Sequence, residues 1–302
     1  MRWSKNNKER RPKRTHWYIA LSFVGILLLL EAVHLAEVFA QRRGRGGYRD
    51  YSPENITRDI FPGNTFTFCR IQYSSGYGGG RWGGGYGGGW ATDYPASDLN
   101  FSQRLTELTT INVNRDDTGN IEHIHMPLTD PRLFDYPFIY MVEVGSLEFD
   151  DAEREILKSY LLRGGFLLVD DFWGDAAWNN WVYEIDKVLP SDTYPVVDIP
   201  LSHPIFHIVF KIKEVPQIPS VGHYDYWRQT GDTYEGQPTT DPSPHCRGIF
   251  DKKERLLAVF MHNCDLGDGW EREGENEGYF RDFSVKRAYP MGINIVVYAM
   301  TH

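Results

Sequence analysis

Residues 137–171 read PFIYMVEVGSLEFDDAEREILKSYLLRGGFLLVDD, and this stretch decides the fold. Pro137–Val144 is a nearly continuous apolar run, as expected of a parallel strand covered on both faces. Asp150 and Glu153 have the spacing of a capping box. The helix they open puts Ile156, Leu157, Tyr160 and Leu161 on one face and stops at Gly164. Gly165–Asp171, GFLLVDD, is a second buried strand. Trp178, Trp181, Val182, Ile185, Val188 and Leu189 then follow helical spacing up to Pro190.

The same alternation extends outward. Phe66–Tyr73, FTFCRIQY, is an alternating strand, and a helix is predicted from about Leu99 to Thr109, capped by Ser97 or Asp98. Towards the C-terminus, Arg247–Phe250, a DKKE turn and Arg255–His262 form a hairpin, and a last helix runs from about Pro290 to Met300. Proline is tolerated there because the first-turn N–H has no intrahelical partner. The prediction is an α/β domain over residues 61–302. Its doubly wound, mainly parallel sheet carries helices on both faces and an antiparallel hairpin near the C-terminus.

Charge is unevenly placed along the 302 residues. Residues 1–45 hold ten Lys/Arg against Glu9, Glu31 and Glu37, a net +7, while the remainder carries 22 basic and 38 acidic residues, a net −16. An acidic body argues against nucleic acid, whose phosphates need a basic face. At the N-terminus, basic residues up to Arg14 precede the apolar run Trp17–Leu30. That run is shorter than the roughly 20 residues of a membrane span and suits a signal peptide. Val38-Phe39-Ala40 offers a cleavage site, whereas the long gap from Leu30 and its two glutamates argue against cleavage. A central Glu31 in a retained anchor costs roughly 2.5–3.5 kcal/mol. Residues 1–40 are therefore read as a signal peptide or signal anchor, with both alternatives open. Either one exports the domain, to the periplasm or the outer face of the inner membrane. Arg10-Arg11 fits a twin-arginine signal poorly, since Pro12 and Lys13 follow.

Residues 41–60 read as a polar linker and 74–97 as a Gly-rich loop. Ten of the fourteen residues 76–89 are glycine, without the Lys-Ser or Lys-Thr of a phosphate loop. The loop is either plain low-complexity chain or a cover bringing Tyr77, Trp82, Tyr86 and Trp90 to a ligand. Three cysteines are an odd number for an exported chain. The hairpin pairing puts Cys246 opposite Val259, five residues and about 17 Å from Cys264, beyond disulfide reach. Cys69 lies within a strand, so three free and mostly buried thiols are expected.

Candidate site residues cluster at strand ends. Asp170 and Asp171 follow an apolar strand and belong at the carboxyl edge of the sheet, where open α/β folds bind ligands. Strand alternation aims only one of them into a given crevice. Neighbouring carboxylates can raise one pKa toward general-acid work, whereas a structural role has both capping the helix near Asp175. His262-Asn263-Cys264-Asp265 ends another strand, so Asp265 belongs at the same edge. The acidic EREGENEG that follows lacks EF-hand spacing and reads as a solvated loop. His203 and His207, four apart, are metal-ligand candidates if an aspartate joins them, although Pro204 weakens a regular helix. Trp82, Trp173, Tyr226, Trp227 and Trp270 could stack on sugars, and most are expected to be packed instead.

GGWATDYP with Asn100, PFIYMVEVG, GGFLLVDDFWG, IPLSHPIFH, ERLLAVFMHNCDLGDGWE and GINIVVYAM together resemble the domain-of-unknown-function family numbered 4159. That family is similar to class I glutamine amidotransferase-like and ThuA-like domains, which implies a flavodoxin-like sandwich. Its members are often joined to, or found beside, membrane proteins with von Willebrand A domains. In amidotransferases the turn matching Asp170-Asp171-Phe172-Trp173-Gly174 bears a nucleophilic Cys; none stands here, so acyl transfer lacks its nucleophile.

The sequence thus points to a non-catalytic ligand-binding or protein-interaction module of the cell envelope. Its crevice is built from Asp93, Asn100, Asp170, Asp171, Trp173 and Asp265. Its partner is a membrane-associated envelope protein or a polar or glycan ligand, and no cofactor is specified. The alternative is a hydrolase of carbohydrate or amide bonds using Asp170 or Asp171, with His203 or His207 assisting.

Overall fold

The computed structural model describes residues 65–73 and 89–302. The segments read as signal or anchor and as linker, and most of the Gly-rich loop, lie outside the described residues.

The strands are β1 (Thr65–Phe66), β2 (Phe68–Gln72), β3 (Asn112–Val113), β4 (His123–Pro127), β5 (Phe138–Val142), β6 (Phe166–Phe172), β7 (Val196–Asp198), β8 (His245–Phe250) and β9 (Leu256–His262). Seven of them form one sheet in the order β4-β2-β5-β6-β9-β8-β7. β4, β2, β5, β6 and β9 run parallel, whereas β8 runs antiparallel to β9 and β7 antiparallel to β8. Ranked by position in the chain, the parallel strands follow the order 2-1-3-4-5 of flavodoxin-like sheets. Connections leave from opposite sides at β2 and β5, so the topological switch point lies between them.

The longer α-helices are α1 (Ala96–Leu108), α2 (Asp151–Leu162), α3 (Gly174–Val188), α4 (Tyr224–Thr230), α5 (Leu266–Glu271) and α6 (Tyr289–Thr301), and a π-helical stretch, Phe280–Ala288, leads into the last. Strand alternation assigns them to faces. Phe138, Tyr140, Phe166 and Leu168 join one core with Phe101 of α1, Trp270 of α5 and Met291 of α6. On the other face Trp181 of α3 meets Phe260 edge-on at 5.2 Å and Phe149 at 6.3 Å. Both faces are covered, which is why β5 and β6 read as unbroken apolar runs. Among the described residues no helix is long and apolar enough to cross a membrane.

Several boundaries differ from the sequence reading for identifiable reasons. α1 begins at Ala96 after Pro95, with no side-chain cap; Ser97 and Asp98 lie inside it, their side chains bonded to Arg70. The expected Gly-rich loop therefore ends earlier, because residues 89–95 form turns. The hairpin register is shifted by two residues. Gly248, not Cys246, pairs with Val259, and Cys246 pairs with Met261. The turn is longer than DKKE alone, closing Asp251 N–H onto Arg255 O with Glu254 left-handed at φ 63. All three cysteines are free and buried. The acidic stretch EREGENEG, residues 271–278, has no buried residue, as a solvated segment should, whereas Leu266–Trp270 just before it are buried in α5.

Candidate functional site

Strand direction brings the carboxyl ends of β2, β5, β6 and β9 to one edge of the sheet. Asp93 lies in the β2–α1 connection, Glu143 follows β5, Asp170 and Asp171 end β6, and Asp265 follows β9. Four residues at this edge have left-handed backbones despite their side chains: Asp93 (φ 61), Glu143 (φ 53), Asp171 (φ 52) and Asn263 (φ 57). Such conformations cost free energy and concentrate at functional sites.

The left-handed turn at Asp171 breaks the strand alternation, as does the register shift between Val169 and Phe172 against β9. Strand alternation therefore does not decide which of the two aspartates meets the crevice, and burial does. Asp170 stays in register, fully buried, and its Oδ2 accepts from Tyr140 Oη at 3.1 Å and Gly267 N–H at 3.0 Å. Asp171 is partly exposed, donates its N–H to Cys264 O, and accepts the Trp173 indole N–H at 2.9 Å. Neither aspartate caps α3; the Gly174 N–H goes to Asn263 Oδ1 at 2.9 Å.

These carboxyls titrate as a group. Burial, then the charges of Asp171, Asp93, Asp268 and Asp170, holds Asp265 well above the usual carboxylate range. Asp93 is raised by burial and by Asp268, Asp171 and Glu271. Asp171 is raised by burial and by Glu143 and Asp170, and burial lifts Asp170 to about 7. Four of the predicted residues, Asp93, Asp170, Asp171 and Asp265, thus occupy one electrostatic neighbourhood.

Sequence reasoning passed over three contributors. Asp268 and Glu271, on α5, turn inward, and ligand atoms of Asp93, Asp268 and Glu271 lie within 4.8 Å of one another. Arg70 is fully buried on β2; its guanidinium binds Asp98, donates to Trp90 O (3.0 Å) and Thr92 O (2.8 Å), and sits 4.9 Å over the Tyr140 ring. It thereby holds the turn that presents Asp93. At the neighbouring corner, Tyr73 Oη donates to Val142 O and Glu143 O (2.7 and 2.9 Å), and Gly89 N–H donates to Glu143 Oε2 (2.6 Å).

Other predicted residues have different tasks. Asn100 uses its amide on Trp270 O and Glu271 O, securing the end of α5. Trp173 packs on Tyr234, Trp227 on Phe283, and Trp270 is fully buried, whereas Tyr226 is half exposed. Trp82 lies outside the described residues. His203 accepts from Ile205 N–H and packs against Phe250 and Tyr298, while His207 meets Ser202 O. Phe250 pairs with Leu256 at the start of β9. The histidine pair therefore belongs to the amino edge, a strand length from Asp170 and too far to assist it, and among the described residues it joins no group of three metal-ligating side chains.

The chain matches the family described as "Domain of unknown function (DUF4159)" over residues 67–300. It belongs to the DUF4159 family. None of the curated proteins matches it. The matched DUF4159 region contains every residue of the carboxyl-edge cluster.

Proposed function

We propose that this DUF4159 domain is a non-catalytic binding module that takes a cationic or multiply hydrogen-bond-donating ligand at the switch point of its sheet. One observation carries the reading. Asp93, Asp171 and Asp265 come from three different segments to the edge where open α/β sheets bind ligands, and burial, reinforced by repulsion from neighbouring carboxylates, raises all three carboxyls. Gathering like charges in a buried crevice destabilises the free protein, and a cationic ligand reverses that cost. Cys264, which feels Asp170 and Asp171, is fully buried with its thiol pushed far up. It is therefore not poised as a nucleophile. The basic and apolar residues 1–40 support a site of action outside the cytoplasm, beside membrane-associated envelope proteins.

The test is a thermal-shift screen of the full chain against amines, amino sugars, polyols and divalent metals. A ligand at 100 times its Kd raises the midpoint by roughly 5–10 °C, and the shift should vanish in Asp171→Ala. A flat screen removes this reading in favour of protein–protein interaction.

The hydrolytic alternative is favoured by one observation, an Asp170 carboxyl near neutrality. Asp170 has no exposed surface, so contact with a substrate falls to Asp171. Turnover of glycoside or amide substrates that disappears in Asp171→Asn would establish it.

A further inference from the structure

We infer that Asp93, Asp268 and Glu271 bind one hard divalent cation of the calcium, magnesium or manganese class. The inference deepens the reading above and rests on it in taking this crevice as the binding site. The three carboxylates come from two elements, the β2–α1 turn and α5, and their oxygens lie within 4.8 Å of one another. All-oxygen donors select hard cations, which sit about 2.0–2.6 Å from each ligand.

Acidity alone does not make a site. The second observation concerns oxygens that lack donors. Asp93 Oδ2 is sealed from solvent and receives no hydrogen bond. It is turned toward Gly267, where an added Cβ would lie 2.5 Å from it, 3.0 Å from Tyr140 Oη and 3.4 Å from Asp265 Oδ1. Asp170, with no exposed surface, likewise has an Oδ1 without a donor. Buried acceptors of this kind are rare and call for a proton or a cation.

The site also has anchoring partners. Asp268 accepts from Val221 N–H, from Tyr279 Oη at 3.3 Å and from Arg272 Nε at 3.1 Å. Arg272 Nε also lies 2.7 Å from Glu271 Oε2. One partly exposed guanidinium therefore offsets two of the three carboxylates, while Asp93 feels only the Arg70 guanidinium, which is already paired with Asp98. A divalent ion supplies what Arg272 does not reach.

The test is metal binding to chelator-stripped full chain. Magnesium and calcium are followed by calorimetry and manganese by loss of its free-ion resonance signal. One ion per chain is expected, with affinity weakened at least about tenfold in Asp93→Asn and in Glu271→Gln. Asp151→Asn, whose side chain is 98% exposed on α2, should bind as the wild type does. Because each site variant removes repulsion, its metal-free melting midpoint should be no lower than wild type, so lost binding cannot be mistaken for unfolding. Absence of saturable binding by all three metals at millimolar concentration overturns the inference, as does equal binding by Asp93→Asn. If metals fail while an organic cation still gives an Asp171-dependent shift, only the metal site falls. If both fail, the binding-module reading falls with it.

Discussion

Arg70 and Asp98 meet with no exposed surface on either side chain, Nη2 lying 2.6 Å from Oδ1. The pair joins β2 to α1, and the other arm of the guanidinium holds the turn before Asp93. Removing one partner of a buried pair leaves an uncompensated charge. Arg70→Met should cost about 3–5 kcal/mol in urea unfolding. Arg70→Lys should restore only part of this, since an ammonium does not reach Asp98 and two carbonyls in a planar fork. Unchanged stability in Arg70→Met would show that the pair is dispensable.

Asp170 gives acidification an unusual sign. Its ordinary pKa of 3.8 rises to about 7 on folding, chiefly through burial, with Tyr140, Asp171 and Asp265 as its titrating neighbours. Between those values the folded chain holds a proton that the unfolded chain has released. The stability contribution is therefore complete below about pH 4 and is lost as pH rises through 7, by up to about 1.4 kcal/mol per pH unit. In chelator, urea midpoints should fall from pH 5 to pH 8, and Asp170→Asn should flatten that trend.

His262 acts in the opposite direction. Burial lowers its pKa from 6.5 to about 4, beside Arg247, His245 and Asp175, with Nε2 3.1 Å from Gly174 O. The unfolded chain takes up a proton that the folded chain refuses, so stability falls as pH drops from 6.5 towards 4. His262→Gln should make the wild-type gain on acidification steeper. A shallower response would mean that His262 is not neutral in the fold.

Gly292 packs closely against the helix that carries two residues of the proposed metal site. A Cβ there would overlap Trp270 Cζ2 and lie 2.8 Å from Phe101 Cε2, both side chains being fully buried. Overpacking of this kind costs typically 1–3 kcal/mol. Since Trp270 shares α5 with Asp268 and Glu271, Gly292→Ala should lower both the melting midpoint and cation affinity. Lost stability with full affinity would separate the core from the site.

Buried thiols make a simpler prediction. Cys69, Cys246 and Cys264 are free, and burial raises all three pKa values. A thiol-reactive dye should label none of them in the folded chain and all three in denaturant, and reductant should leave the melting midpoint unchanged.

Much of this architecture was legible. PFIYMVEV and GFLLVDD announce strands covered on both faces, and aspartates just past such runs belong at the carboxyl edge for any parallel sheet. Less was legible where tertiary structure overrides local pattern. Ser97 and Asp98 resemble helix caps because nothing local reveals that Arg70, buried between layers, claims both. Asp171 follows strand alternation until a left-handed residue interrupts it. Glu271 sits at the head of an acidic run, and the six residues of α5, with glycines at 267 and 269, are too short for a periodicity showing which carboxylates turn inward.

The clamp at Glu143 has a consequence for how this fold can vary. Tyr73 and Gly89 bracket residues 74–88, and both are tied to Glu143, with Tyr73 Oη only 3.8 Å from where a Gly89 Cβ would stand. The intervening chain therefore leaves and re-enters the domain at nearly one point. Closing such a loop depends only logarithmically on its length, with each doubling adding about 0.6 kcal/mol. The spacing in sequence between these two anchors is therefore only weakly constrained by the fold. Insertions or deletions between Tyr73 and Gly89 leave the register of β2 against β5 in place, so this is where the chain can change length without the sheet being renegotiated.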